Sequence, residues 1–338
     1  MEVIRGWSHR PFAITDSSCV GDARRFCART AQDWGWSEVD VGRLSLIVTE
    51  LGTNLVRHAL QGELWIAAPA GGQEVEILAL DKGPGMADVK RSFQDGVSTG
   101  TGSPGTGLGA IRRLASDFDI HSTPFGTLCL VRVRSASQEA SAGHRLWGAV
   151  SIAAPGETVC GDGWAVATDG GKMSAVVADG LGHGPHAAVA SDAALDVFSA
   201  DPFAPIESFV PNAHLGLQTT RGAAVFALLM ESSGRLQYAG AGNVIGRIIS
   251  GVFDRSMITQ HGTVGVQVRR TEVATLEMPN HAVAVVHSDG IASRWKAEEV
   301  VPLLQRDPTL IAAALLWQQS RGRDDATVLV IKQGDAFE

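Results

Sequence analysis

The chain has 338 residues, of which 45% are hydrophobic and 19% are charged, and this length and composition are typical of a folded protein with two domains. It contains neither the run of about 18 apolar residues that spans a bilayer nor a hydrophobic signal segment at its amino terminus, so we expect a cytoplasmic protein. Its net charge of -8, without a block of Lys or Arg, argues against binding to nucleic acid or to a membrane surface.

The first half of the sequence alternates between helices and strands. Ser37 is the predicted cap of a helix that ends near His58, because Asp40 follows at the third position and apolar residues then recur at helical spacing. The other predicted elements are strands at 63–68 and 74–80, a helix from Leu108 and strands that end at Arg134. This order predicts helices on one face of a mixed sheet.

The stretch 135–144, SASQEASAGH, is small, polar and aperiodic. We therefore expect it to link a domain at 1–134 to a second domain at 145–338. The second domain is predicted to hold strands on both sides of Asp169-Gly170, helices near 185–199, 206–220 and 307–320, and further strands between 223 and 288 and at 326–331. Many strands with two pairs of helices predict a β-sandwich flanked by helices.

Three short stretches of the first half carry residues suited to nucleotide chemistry. Glu50 and Asn54 are four apart and share a helix face, and an isolated pair of this kind is usually a solvated surface. Asp81 begins D-K-G-P-G directly after a strand and could accept a hydrogen bond from an adenine amino group. G-T-G-L-G, at 105–109, precedes a helix and would direct backbone N–H groups at phosphates. These glycines match neither a Walker loop nor a dinucleotide fingerprint.

E-x-x-x-N, D-x-G-x-G and G-T-G-L-G in this order resemble the three boxes of the GHKL ATP-binding family, and residues 8–134 resemble the bacterial switch kinases of the RsbT and RsbW type. The resemblance implies transfer of the ATP γ-phosphate to a serine or threonine of a STAS-domain protein. Glu50 would be the general base, Asn54 the Mg²⁺ ligand and Asp81 the adenine contact. The implied pocket and lid residues are Gly83, Gly85, Gly105, Thr106, Gly107, Leu108 and Gly109.

The STAS partner would be an anti-sigma antagonist or a stressosome-type protein, and a sigma factor or other downstream effector is a further expected partner. The glycines between Asp95 and Gly107 predict a mobile lid that nucleotide orders, because glycine makes any single backbone state entropically costly.

Acidic residues of the second half lie at strand ends. Asp162 and Asp324 precede predicted strands, Asp179 and Asp289 follow them, and each is next to a glycine or another aspartate. Strand ends in a sandwich can converge, and four carboxylates that meet would repel one another without cations. Their oxygen chemistry indicates Mg²⁺ or Mn²⁺.

The order G-D, D-G-L-G-H-G, S-D-G and D-D-A-T resembles the type 2C metal-dependent phosphatases, specifically the SpoIIE and RsbX branch, over residues 145–333. The resemblance implies that Asp179 bridges two metal ions with help from the Gly180 carbonyl, that Asp162 serves one ion, and that Asp289 and Asp324 serve the other. Two such ions can activate a shared water for attack on a phosphoserine or phosphothreonine. The family register favours Asp324 as the ligand, and Asp325 is the alternative.

Two stretches depart from the usual phosphatase pattern. The first reads C-G-D-G-W at 160–164 instead of G-G-D followed by an aromatic residue, and the second reads A-G-A-G-N at 239–243 instead of containing A-G-H. We expect these departures to affect substrate contacts more than metal binding.

The expected fold is therefore α+β, with a GHKL (Bergerat-type) α/β sandwich followed by a type 2C phosphatase-like α-β-β-α sandwich. The leading hypothesis is a kinase and a phosphatase that act in opposite directions on one STAS-domain protein, using ATP, Mg²⁺ and Mn²⁺. In the alternative, the GHKL domain is only a nucleotide-dependent protein-binding module for the phosphatase. A purely structural interpretation treats both sets of motifs as accidents.

Overall fold

The computed structural model describes residues 1–89, 91–93, 107–136 and 145–333. These form two units, one of which is His9–His144 and the other Met1–Ser8 together with Arg145–Glu338. The prediction that residues 1–134 form one domain therefore differs from the structure for the first eight residues. Most of the predicted linker, 137–144, lies outside the described residues.

Strand β1 (Glu2–Arg5) explains this difference, because it completes a sheet of the second unit. It pairs antiparallel with Asp162–Asp169, and the Gly6 amide donates to the Trp164 carbonyl at 2.7 Å. The Trp7 ring then packs edge-on against the Trp164 ring, with 5.0 Å between centroids. The sequence did not predict this strand in the second unit because its partner strand is distant in the chain, and local sequence patterns do not reveal such pairing.

Within its described residues, the His9–His144 unit has three α-helices on one five-stranded sheet. Its elements are β2 (Arg10–Ala13), α1 (Ser17–Asp33), α2 (Glu38–His58), β3 (Glu63–Ala67), β4 (Glu74–Asp81), α3 (Gly107–Leu114), β5 (Asp117–Thr123) and β6 (Gly126–Arg134). The strand order is β2-β3-β4-β6-β5. A mixed sheet was expected, but the described pairs are all antiparallel. The reason is that β6 turns back from β5 and lies between it and β4.

Helix α2 illustrates how the sequence builds this unit. The Ser37 hydroxyl accepts from the Asp40 amide at 3.1 Å, which is the predicted cap, and the buried helix face joins one core with Ile77 of β4. Gly52 faces α1, where an added Cβ would lie 2.7 Å from Val20 Cγ1. The absence of a side chain therefore lets α1 and α2 pack closely on the sheet.

The second unit has, within its described residues, two large sheets between layers of helices and a small two-stranded sheet of Gly262–Thr263 and Gln267–Val268. Its remaining elements are β7 (Trp147–Ile152), β8 (Asp162–Asp169), β9 (Lys172–Gly180), α4 (Pro185–Ala200), α5 (Ile206–Gly216), β10 (Ala223–Met230), β11 (Arg235–Ala241), β12 (Ile245–Ile249), β13 (Asp254–Met257), β14 (Gly262–Thr263), β15 (Gln267–Val268), β16 (Ala274–Glu277), β17 (Val283–His287), α6 (Pro308–Gln319) and β18 (Ala326–Lys332). One sheet has the order β1-β8-β9-β10-β11-β16 and the other β13-β12-β17-β18-β7.

Alternating residues of β8 show how the layers are held together. Trp164 and Val166 lie in the core that includes Val286 and Leu329 of the other sheet, whereas Ala165 lies in the core formed with α4 and α5. Successive strand residues point to opposite faces, so one strand serves both layers. Helix α6 packs on β7 and β18, and the predicted α-β-β-α sandwich is confirmed.

No helix within the described residues is both long and apolar enough to cross a bilayer.

Candidate active sites

In the first unit, the structure brings the start of α3 to the Glu50–Asn54 pair on α2. A Cβ added at Gly107 would lie 2.8 Å from Glu50 Oε2 and 3.8 Å from both terminal atoms of the Asn54 amide. The first glycine of α3 therefore leaves the space in which these two side chains approach the helix amino end. Backbone N–H groups at such an end are suited to binding phosphate.

Asp81 is the last residue of β4 and is partly buried. Burial raises the pKa of its carboxyl group, while hydrogen bonds from the Gly83 and Thr127 amides oppose that rise. The Gly83 amide lies 2.6 Å from Asp81 Oδ1. A carboxylate held in this way at the end of a strand can accept a further hydrogen bond from a ligand amino group.

Gly85 and Gly83 shape the turn that follows Asp81. Gly85 has a φ of +66°, and an added Cβ would overlap the Thr123 carbonyl. At Gly83 a Cβ would lie 2.9 Å from both the His58 carbonyl and Asp81 Oδ1. The positive φ therefore requires glycine at Gly85, and the lack of room for a Cβ favours glycine at Gly83.

The remaining predicted residues of this site lie on or before α3. Leu108 is partly buried and Gly109 is fully buried in the helix. Gly105 and Thr106, together with nearly all of the predicted lid from Asp95 to Gly107, lie outside the described residues.

In the second unit, four aspartates from four strand ends influence one another. Asp162 and Asp179 are direct partners in the β8–β9 ladder, Asp289 follows β17 and Asp324 precedes β18. Burial raises the pKa of Asp179, and the charges of Asp162, Asp289 and Asp324 raise it further. The charges of these carboxylates therefore act on Asp179 across the strand ends, and their meeting at one metal site stays a prediction.

Asp162 is held by a residue that the sequence reasoning missed. The Ser288 hydroxyl donates to Asp162 Oδ2 at 2.6 Å and accepts from the Thr327 amide at 3.0 Å. Burial raises the pKa of Asp162, and the Ser288 hydrogen bond opposes that rise. The only local signal was a serine at the end of an apolar strand, directly before Asp289.

Asn243, in the stretch that departs from the usual A-G-H pattern, contacts the acidic centre. Its Nδ2 donates to Asp289 Oδ2 at 2.6 Å. The departure was expected to affect substrate contacts more than metal ligands, whereas here the carboxamide orients one of the aspartates.

Asp324 and Asp325 have different surroundings. Asp325 is only 3% exposed, and its Oδ1 accepts from the Ala154 amide at 2.8 Å. Asp324 is partly exposed and contributes to the raised pKa of Asp179. Asp325 Oδ2 is buried without a hydrogen-bond partner, as is Asp179 Oδ2, so Asp324 stays the predicted ligand and Asp325 its alternative.

Gly180 ends β9 beside α4, where an added Cβ would overlap the Ala187 carbonyl. A side chain at this position would therefore push α4 away from the strand that carries Asp179. The Gly180 amide donates to the Gly161 carbonyl at 3.3 Å, which joins the segments that carry Asp179 and Asp162.

The donor chemistry of the acidic centre fits Mg²⁺ or Mn²⁺. Asp179 Oδ2 is buried and has no hydrogen-bond partner, and a carboxylate oxygen in that state is stabilised by a cation. Within the described ranges, no three His, Cys, Asp or Glu side chains converge closely enough to form a preassembled metal site.

Comparison with known proteins assigns a family to each half. A model of the histidine kinase-like ATPase domain matches residues 15–133, and a model of stage II sporulation protein E (SpoIIE) matches residues 169–333. The serine/threonine-protein kinase RsbT of Bacillus subtilis is 32% identical over 119 residues, which are 32% of this chain and 89% of that protein.

Two solved structures match the chain, and the first of them is similar in fold. One, described as "The bacterial stressosome: a modular system that has been adapted to control secondary messenger signaling", is 24% identical with a TM-score of 0.52 and covers 55% of this chain and 98% of its own. The other contains the PP2C phosphatase domain and a regulatory fragment of SpoIIE from Bacillus subtilis, at 16% identity and a TM-score of 0.49, covering 94% and 98%.

The first match includes all three nucleotide motifs, and the second includes Asp179, Asp289 and Asp324 but begins after Asp162. The chain belongs to the RsbT-like kinase family and joins its histidine kinase-like ATPase domain to a SpoIIE-type phosphatase domain.

Proposed function

We propose that the chain is a bifunctional partner-switching regulator in bacterial stress or sigma-factor signalling. It phosphorylates a serine or threonine of a STAS-domain protein with ATP and removes that phosphate by two-metal hydrolysis. The observation that carries the proposal is that one chain holds both the Glu50–Asn54 pair beside the start of α3 and the mutually interacting aspartates around Asp179. Joining both sites raises the local concentration of each around a shared partner.

In the kinase reaction, Glu50 would accept the proton of the acceptor hydroxyl. Asn54 would bind Mg²⁺, which neutralises phosphate charge, and Asp81 would accept a hydrogen bond from adenine. The backbone at the start of α3 would bind the phosphates. These roles agree with the demands of phosphoryl transfer, which needs positioning and charge neutralisation more than covalent help.

In the phosphatase reaction, Asp179 would bridge two divalent ions, with the Gly180 carbonyl, Asp162, Asp289 and Asp324 as the other ligands. Bound ions of this kind supply a nucleophilic water at neutral pH and neutralise the charge of the phosphate. Within the chain, the Ser288 hydroxyl orients Asp162 and the Asn243 amide orients Asp289.

The decisive experiment follows phosphate on candidate acceptors. The full chain is incubated with Mg-ATP, Mn²⁺ and the STAS-domain proteins encoded near it, and phosphorylation and release are followed by mass spectrometry. Asn54→Ala should lose phosphorylation and keep phosphatase activity, whereas Asp179→Asn should accumulate phosphoprotein.

The result also decides between the proposal and its alternative. If ATP binds and the phosphatase is active, but no phosphoprotein forms with any acceptor, the first unit is a protein-binding module. Absence of both ATP binding and Mn²⁺-dependent phosphatase activity would contradict the whole proposal.

A further inference from the structure

His287 is the last residue of β17 and lies directly before the turn that carries Asp289. Its side chain is 1% exposed. The Ile291 amide donates to the Ser288 carbonyl at 3.3 Å, so residues 288–291 form a β-turn. The imidazole Nδ1 of His287 lies 2.8 Å from the same carbonyl. The side chain therefore contacts the first carbonyl of the turn at shorter range than the turn's own amide does.

Trp295 determines which nitrogen of the His287 ring carries the proton. The Trp295 Nε1–H donates to His287 Nε2 at 3.1 Å, and an indole N–H can only donate. Nε2 is therefore an acceptor, and the proton of the neutral ring resides on Nδ1. In this tautomer Nδ1 donates to the Ser288 carbonyl, so the contact with Trp295 fixes the contact with the turn.

Trp295 is itself held firmly. It is 4% exposed, and Arg247 of β12 stacks on its ring, with 4.3 Å from Cζ to the ring centroid. Arg247 Nη1 also donates to the Trp295 carbonyl at 2.8 Å. The guanidinium is fixed in turn by Asp254 of β13, through Nε to Oδ1 at 2.6 Å and Nη2 to Oδ2 at 2.5 Å. The indole therefore presents its N–H to His287 from a rigid position.

The turn that His287 contacts carries two groups of the acidic centre. One is the proposed metal ligand Asp289, and the other is the Ser288 hydroxyl, which donates to Asp162 Oδ2. We infer that His287, with its tautomer set by Trp295, positions this turn for divalent metal binding. The inference rests on the proposed phosphatase function and adds a positioning residue to it, since contacts behind the ligands orient them and raise metal affinity.

The test measures the Mn²⁺ affinity of the full chain by calorimetry without nucleotide. His287→Phe removes both ring nitrogens, and we expect its Mn²⁺ affinity to fall about 10- to 100-fold. His287→Asn can still donate an N–H from near the position of Nδ1 and should keep an affinity closer to that of the wild type. Trp295→Phe removes the indole N–H that fixes the tautomer, and its affinity should fall about 3- to 10-fold.

A control and a second readout separate positioning from a merely structural role. The control is His214→Phe on α5, which removes an imidazole whose Nδ1 accepts from the Gly265 amide at 3.0 Å, and its Mn²⁺ affinity should equal that of the wild type. Thermal unfolding with EDTA gives the stability of each metal-free variant. A structural role predicts that Mn²⁺ affinity follows stability, whereas positioning predicts that it follows the N–H donor to the Ser288 carbonyl.

Each outcome decides the role of His287. Wild-type Mn²⁺ affinity in His287→Phe or in Trp295→Phe would overturn the inference, and so would a His287→Asn variant that binds Mn²⁺ no better than His287→Phe. If His287→Phe does not fold, Trp295→Phe and His287→Asn decide the matter by comparison with the wild type. A wild-type chain that binds no Mn²⁺ would instead contradict the proposed phosphatase function, and the inference with it.

Discussion

Asp162 and Asp179 are direct partners on neighbouring antiparallel strands. Side chains opposite each other on such strands lie close together, and like charges in this position destabilise the sheet. The fold therefore keeps two carboxylates where a bound cation would relieve their repulsion. This arrangement is understandable for metal binding and would be costly for any purely structural role.

Asp179→Asn should therefore weaken metal binding without lowering the stability of the metal-free protein. With a chelator present, we expect the variant to be as stable as the wild type or more stable, by about 1 kcal/mol, because the amide avoids the burial and repulsion that raise the pKa of Asp179. With Mn²⁺, the wild type should gain stability and the variant should gain little. Thermal unfolding with EDTA and across a Mn²⁺ titration measures both, and equal stabilisation of the two proteins by Mn²⁺ would remove Asp179 from the site.

Ser288→Ala should weaken metal binding although Ser288 is not itself a proposed metal ligand. The substitution leaves Asp162 Oδ2 and the Thr327 amide without their common partner, at a cost of about 1–3 kcal/mol in unfolding free energy. Loss of such orienting contacts typically lowers metal affinity about 10- to 100-fold. The control is Ser174→Ala, a buried serine whose hydroxyl donates to the Leu228 carbonyl at 3.2 Å. Equal Mn²⁺ affinity in both variants would contradict the prediction.

Gly107→Ala should impair the kinase-like unit. The added Cβ would lie 2.8 Å from Glu50 Oε2, so either the carboxylate or the start of α3 must shift. We expect phosphotransfer to fall by at least about 10-fold, since small misplacements of reacting groups are costly. Gly42→Ala on α2 is the control, because nothing lies within 4 Å of its added Cβ, and alanine favours the helix. Phosphotransfer by Gly107→Ala at the wild-type rate would show that this contact is unimportant.

Gly6→Ala should destabilise the phosphatase unit although it lies at the other end of the sequence. The added Cβ would overlap the Trp164 ring, and overpacking of this kind costs about 1–3 kcal/mol. Gly251→Ala, with open space around its Cβ, should have little effect. The measurements are the temperature at which half of the phosphatase activity is lost and the affinity for ATP. The affinity for ATP should be unchanged in both variants. A fall in ATP affinity with normal phosphatase stability would contradict the assignment of Gly6 to the second unit.

Helices and strands with strong local patterns were predictable from sequence. Helix α2 has both a cap and an apolar stripe, and the structure starts it at Glu38 and ends it at His58. Helix α1 was not predicted, because its buried residues include Ala23, Cys27 and Ala31, which are small and produce a weak apolar stripe.

Contacts between distant segments were less predictable. Glycine and aspartate motifs indicated which strand ends carry the candidate sites, because these residue types are unusual there. The hydrogen bond from Ser288 to Asp162 joins residues 126 apart, and the bond from Asn243 to Asp289 joins residues 46 apart. Such partners depend on the packing of two sheets, which no periodicity within one segment specifies.

The position of β1 has a consequence for synthesis on the ribosome. The strand is made before its ladder partner β8, which follows roughly 160 residues later, and this separation corresponds to about 8 to 32 s at common elongation rates. During that interval, the intervening kinase-like segment can emerge and fold while β1 has no partner. We therefore expect nascent chains stalled before β8 to expose β1 to proteases and chaperones, and its protection to mark completion of the phosphatase sheet.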